Sequence, residues 1–150
     1  MKVNPARRHK ARRYAVQGLY HWQLTQADAS DVIDYMLPEV NQNKTDMEYF
    51  EELITQIPTM VESIDEVIKP HLDRDINSVD PVERAILRMA VYELLKHPEI
   101  PYRVVINEAI EQAKTFGAED GHKFVNGVLD KAAAIVREVE VSSNQNSKDA

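Results

Sequence analysis

The residues best equipped for chemistry are basic, and they crowd the start of the chain. Within MKVNPARRHKARR stand Lys2, Arg7, Arg8, Lys10, Arg12 and Arg13, with no acid among them. Arg8 and Arg12 are four apart and would share one face of a helix, with Lys10 displaced to the side. The chemistry they suggest is phosphate binding. The whole chain holds 18 Lys and Arg against 25 Asp and Glu, so the body behind this arm is strongly acidic. Such a body repels a polyanion while the arm attracts it, which confines the anion to one edge. A frayed, solvated terminus is the plain alternative. Tyr14, Tyr20 and Trp22 follow the arm. Their rings could stack on bases or meet a protein, although core packing accounts for them more simply.

A second cluster is the stretch Glu119, Asp120, Gly121, His122, Lys123 and Phe124. A helix start beside glycine offers backbone N–H groups to a phosphate. Lys123 adds charge and Phe124 a stacking face. An ordinary helix–helix turn with Phe124 in the core fits this stretch equally well.

Other chemistry is poorly provided for. The chain contains no cysteine, which excludes disulfides, thiolate zinc sites and cysteine nucleophiles. The five histidines, including His9 and His122, are scattered with none at i,i+4, so no metal site is expected. There is no phosphate-binding glycine loop, dinucleotide fingerprint or nucleophile elbow. Glu51, Glu52, Glu62 and Glu66 read as the wet side of a helix. No catalytic residue and no cofactor is expected.

The elements that must position these clusters are helical. A chain of 150 residues suits one domain with a real core. A first helix runs from about Pro5 to Gln23, with Ala11, Ala15, Leu19 and Trp22 on one face. A short helix holds Val32, Ile33, Met36 and Leu37. Asn41–Asp46 reads as a surface loop, the least structured interior stretch. Apolar residues from Phe50 to Ile68 keep helical phase through Pro58, which predicts one kinked helix or two collinear ones. Asp80-Pro81-Val82-Glu83 is a strong helix start, with Asp80 as cap and Glu83 as returning partner of a capping box. The helix after it is apolar on several sides and should be central.

Ile100–Ala134 reads as a helical hairpin. Val105, Ile106, Ala109, Ile110, Ala113 and Phe116 make its first stripe, and Val125, Val128, Leu129 and Ala132 its second. Pro101 can open the first helix, and Gly117 can end it in a left-handed conformation. Gly127 lies inside the second helix, where glycine costs about 1 kcal/mol relative to alanine; a close helix crossing would explain it. Residues 141–150 show no periodicity and should form a disordered tail after a working body of residues 1–140. No period-two alternation and no membrane-length apolar run occurs. The expected fold class is all-α, a single domain of six or seven helices.

RRHKARRYAVQGLYHWQ and DPVERAILRMAVYELLKHPEIPYRVVINEAIEQAKTFGAEDGHKFVNGVLDKAA resemble the NusB family of bacterial transcription antitermination factors. The match covers the first helix and most of residues 80–134. The resemblance implies two packed sub-bundles and a cytoplasmic, non-enzymatic RNA-binding role. It implies a complex with NusE, a small-subunit ribosomal protein, on the boxA element of ribosomal RNA leaders. Other Nus factors and RNA polymerase would be reached indirectly, and no membrane is involved.

By the same resemblance Lys2, Arg8, His9, Lys10 and Arg12 face RNA, and Lys123, Phe124, Asp120 and His122 form a second RNA contact. The two contacts would make one RNA surface. Tyr20, Trp22 and Glu83 match the region that meets NusE. His9 stands where arginine is common in the family, and Gly121 where a helix-capping serine is frequent. A helical protein–protein adaptor without specific RNA binding is the alternative. The module is also similar to the N-terminal domain of some RNA cytosine methyltransferases, but without cysteine that activity is not expected.

Overall fold

The computed structural model describes residues 3–149, with side chains from 3 to 144. The described residues contain eight α-helices and no strand. They fall into two compact units, one ending at Val61 and the other beginning at Glu62.

In the first unit, α1 (Pro5–Thr25) starts where Asn4 accepts the Arg7 N–H and Pro5 takes the first helical position. Its buried face carries Ala11, Ala15, Val16 and Leu19 and packs on α2 (Ala29–Met36) and α3 (Met47–Thr59). At Gly18 a Cβ would lie 2.5 Å from Ile54 Cδ1, so a larger residue there requires the tip of the Ile54 side chain to move. Gln26 ends α1 in the left-handed region, at φ 57°. From α3, Tyr49, Phe50, Leu53, Ile54 and Ile57 fill the rest of this core.

The stretch expected to be a loose loop is anchored. Gln42–Lys44 forms a 3-10 turn and Thr45 is buried. The Arg7 guanidinium donates to the carbonyls of Asn43 (3.2 Å) and Thr45 (3.0 Å), and the Arg7 carbonyl accepts the Asp46 N–H. Asp46 then caps α3 by accepting the Tyr49 N–H at 3.1 Å.

Helical phase does run through Pro58, but α3 stops at Thr59 and α4 (Val61–Ile68) begins after Met60, at φ −114°. In the second unit Asp65 on α4 and Arg88 on α5 (Pro81–Lys96) form a bidentate buried pair, with bonds of 3.0 and 2.9 Å. Asp80 caps α5 by accepting the N–H groups of Val82 and Glu83. As its composition predicts, α5 is buried on nearly all sides, against α6 (Tyr102–Phe116) and α7 (Gly121–Val136).

Three local expectations are corrected. Pro101 caps α6 from just outside rather than opening it. Gly117 ends α6 in extended backbone, at φ −88° and ψ 177°, not in the left-handed region. Beyond Glu140 the chain does not lose structure at once, because α8 (Glu138–Asp149) continues it. This segment has no Gly or Pro to stop a helix, and its first turn is tied back to the body through Glu140. That extra helix takes the count past six or seven.

Candidate nucleic-acid interface

The basic arm is sorted by the helix that carries it. Arg8 and Arg12 do share a face of α1, but that face turns inward. The Arg8 guanidinium lies 3.9 Å from the centre of the Tyr49 ring, and that of Arg12 lies 5.6 Å from the same centre. Arg12 is only 3% exposed, so its side chain is not presented to an external phosphate. Burial beside Tyr49 sets Arg12 apart from the more open Arg8 on the same face. Four-residue spacing keeps two arginines together but does not say which way they point.

Arg8 is half-buried, with Nε 3.7 Å from Asp46 Oδ2 and no hydrogen-bond partner at that nitrogen. It borders a groove of about 550 Å³. Arg7 and Arg8 line this groove, but so do Asp46, Glu48 and Glu52, which would repel phosphate. The outward charge of α1 therefore comes from Lys10, which is half-buried, and Arg13, which is exposed. His9 is half-buried beside them. Lys2 lies outside the described residues.

Farther along α1, Tyr20 is 38% exposed and Leu24 57%. Trp22 is half-buried. His21 stacks on Tyr35 of α2, rings 4.2 Å apart and 9° from parallel, and Tyr35 is itself largely exposed. Water-facing rings and an exposed leucine suit a protein partner.

The second cluster lies at the start of α7. Gly121 is its first residue and is buried, with Asp120 exposed just before it. A Cβ on Gly121 would sit 3.0 Å from Glu83 Oε2, so the glycine gives the Glu83 carboxylate its place. Glu83 is largely buried. Burial is the main cause that pushes its pKa up, helped by Asp80 and opposed by Arg74.

The expected anion cradle of backbone N–H groups is partly used. Gly121 donates to Ala118 at 2.9 Å and Lys123 to Asp120 at 3.1 Å. What remains is side-chain chemistry. Lys123 is exposed and 3.4 Å from Asp120, an open pair that holds it only weakly. His122 is half-buried. Phe124 is half-buried, with the Arg74 guanidinium 5.0 Å above its ring.

Arg74 belongs to neither of the clusters that the sequence marks, and nothing in its spacing singles it out. It pairs with Asp73 at 2.8 Å, which lowers the Asp73 pKa and raises that of Arg74. Next to Phe124 is a depression of about 240 Å³ that also reaches His71, Gly127 and Lys131. Gly127 has nothing within 4 Å of where a Cβ would stand. The close helix crossing expected to explain it is absent.

Among the described residues no three His, Cys, Asp or Glu cluster as a metal site, and no helix is long and apolar enough to cross a membrane.

Known proteins give these features a context. The model of the NusB family matches residues 9–134. The "Transcription antitermination protein NusB" of Shewanella frigidimarina is 53% identical over 129 residues, covering 86% of this chain and 96% of that protein. Its counterpart in Pectobacterium carotovorum is 52% identical over 135 residues, covering 90% and 97%. Among solved structures, T. maritima NusB superposes with a TM-score of 0.72 at 33% identity, over 89% of this chain and 92% of that one. A crystal structure of the antitermination factors NusB and NusE in complex with dsRNA gives 0.73 at 29% identity, over 83% and 93%.

Proposed function

The chain belongs to the NusB family, and on that footing we propose that it is a transcription antitermination factor that acts with a NusE-type ribosomal protein on boxA-type leader RNA. It is an RNA-binding regulatory protein and not an enzyme. The observation that carries this is the length of the likeness. Relatives named as transcription antitermination proteins align over 96–97% of their own length. A structural neighbour is bound to both NusE and RNA.

RNA is met by two groups of side chains. On α1 these are Lys10, His9 and Arg8, with Lys2 ahead of them; Arg13 joins them, and Arg12 supports Arg8 from beneath through Tyr49. On α7 they are Lys123 and Phe124, with Asp120 and His122 at their side. NusE is met through Tyr20 and Trp22, with Glu83 as a further candidate contact. The working body is residues 1–140, the protein acts in the cytoplasm, and other Nus factors and RNA polymerase are reached through the assembled complex.

The deciding experiment is co-purification from a bacterial lysate with and without RNase. A small ribosomal protein recovered in both, with leader RNA recovered only without RNase, is the expected result. Recovery of the protein partner alone, together with no shift of boxA RNA in a titration, would make the chain a protein–protein adaptor instead.

A further inference from the structure

Between α6 and α7 lies a further depression, of about 280 Å³, lined by Tyr102, Arg103, Ile106, Asn107, Asn126 and Asp130. None of these residues belongs to the RNA or NusE surfaces described above. The floor is firm, since Tyr102 and Ile106 are both buried and the Tyr102 N–H is tied to Glu140 at 2.9 Å. The rim is polar and comes from two short rows. Arg103 and Asn107 are four apart on α6, and Asn126 and Asp130 are four apart on α7, so each pair projects from one helix face.

The groups on this rim are unspent. Among the described residues no hydrogen bond or ion pair engages the side chains of Asn107, Asn126 and Asp130. Arg103 gives its Nε to the Tyr102 hydroxyl at 3.3 Å and has no ion pair among the described residues. Arg103 and Asp130 thus border one depression without pairing with each other. The arrangement suits a small molecule that carries both charges. A guanidinium takes a carboxylate through two parallel bonds, and a carboxylate takes an ammonium. Each asparagine amide is donor and acceptor at once, the complement of a peptide group. Phosphate is disfavoured by Asp130. The volume falls just short of pockets for drug-sized ligands and suits something smaller.

We propose that this depression binds a zwitterion of the α-amino-acid class, free or as a short peptide, with its carboxylate at Arg103, its ammonium at Asp130 and its other polar atoms at Asn107 and Asn126. The site is built within the second unit alone and does not rest on the RNA-binding reading.

The test is an NMR titration of the full isotope-labelled chain, read at the side-chain amide signals of Asn107 and Asn126, each assigned from its alanine variant. The probes are glycine and glycylglycine, with acetate and ethylammonium as single-charge controls. At least one zwitterion should shift both amides saturably, with half-saturation at about 1 mM or below. Acetate and ethylammonium should bind at least tenfold more weakly. Arg103→Gln and Asp130→Asn should each weaken the zwitterion at least tenfold. Both sites are exposed, so the thermal midpoint should stay within about a degree.

Glycylglycine binding more tightly than glycine assigns the site to peptides, and the reverse order to free amino acids; either supports the proposal. No saturable shift at ten times the expected half-saturation overturns it. So does acetate matching the zwitterions, which would leave only an anion contact at Arg103. Equal binding by the parent, Arg103→Gln and Asp130→Asn would place the ligand elsewhere and overturn it as well.

Discussion

Arg137 Nη1 donates to Glu140 Oε1 at 2.7 Å, while the other oxygen of Glu140 accepts the Tyr102 N–H at 2.9 Å. The pair joins the two ends that face each other at the α5–α6 turn. Arg137 also donates to the carbonyls of Leu94, His97 and Ile100 at 2.9–3.0 Å, and more distantly to that of Glu93 at 3.4 Å. A cation thus satisfies the C-terminal carbonyls of α5, and an anion satisfies the start of α6.

Arg137→Ala would strand these buried acceptors and should cost about 3–5 kcal/mol in a urea titration. Glu140→Gln keeps an acceptor for Tyr102 and should cost less, about 1 kcal/mol. Loss of α8 helicity without loss of global stability in Arg137→Ala would show that the residue serves only the tail.

This lock also marks where the sequence stops being readable. The stripes of α1, α6 and α7 and the all-round apolar face of α5 follow from residue spacing alone, because they depend on local periodicity. So does the Asp80 cap, whose partners are two and three residues away. Arg137 is different: its partners are about 40 residues distant and are backbone carbonyls, which carry no residue-type signal. Arg7 is hidden in the same way, since it reads as one more base of the arm yet binds the carbonyls of Asn43 and Thr45. At the candidate site, charge singled out α1 and the corner at Lys123. It could not tell inward Arg12 from outward Arg13, nor bring Arg74 to Phe124, because both depend on tertiary placement.

Gln26 offers a test of backbone strain. It is the only non-glycine residue with positive φ among those described, and a left-handed L-residue costs about 1–2 kcal/mol. Its side chain recovers part of that through long, exposed bonds to Trp22 and Gln23 carbonyls, at 3.4 and 3.3 Å. Gln26→Gly should therefore raise stability by up to about 1 kcal/mol. An unchanged or lower urea midpoint would mean those bonds fully offset the strain.

Glu83 gives a pH dependence of defined sign. Its folded pKa lies above the ordinary carboxylate value, chiefly through burial, so the folded state favours the protonated form. The stability this contributes is present below the unfolded pKa and is lost as pH rises through the folded one. Glu83→Gln should then gain stability relative to the parent at pH 7, and the gain should vanish below the ordinary range of a glutamate. A difference between the two proteins that stays constant from pH 7 to pH 3 would show that ionisation is not the cause.

The arm can be divided by experiment into charges that bind and charges that build. Lys10 and Arg13 are only partly buried or exposed, so replacing either with alanine should leave the thermal midpoint within about a degree. Each should lower the slope of log K against log salt by about one, because one phosphate contact and its released counterion are lost. Arg12 is buried beside Tyr49, and Arg12→Ala removes both its charge and the packing of its stem. It should cost about 2 kcal/mol or more of stability. At a temperature where the variant is still folded, its salt slope should match the parent's. Equal loss of slope in all three variants, with no loss of stability in Arg12→Ala, would mean that Arg12 turns outward to meet RNA, and the inward face of α1 would have to be redrawn.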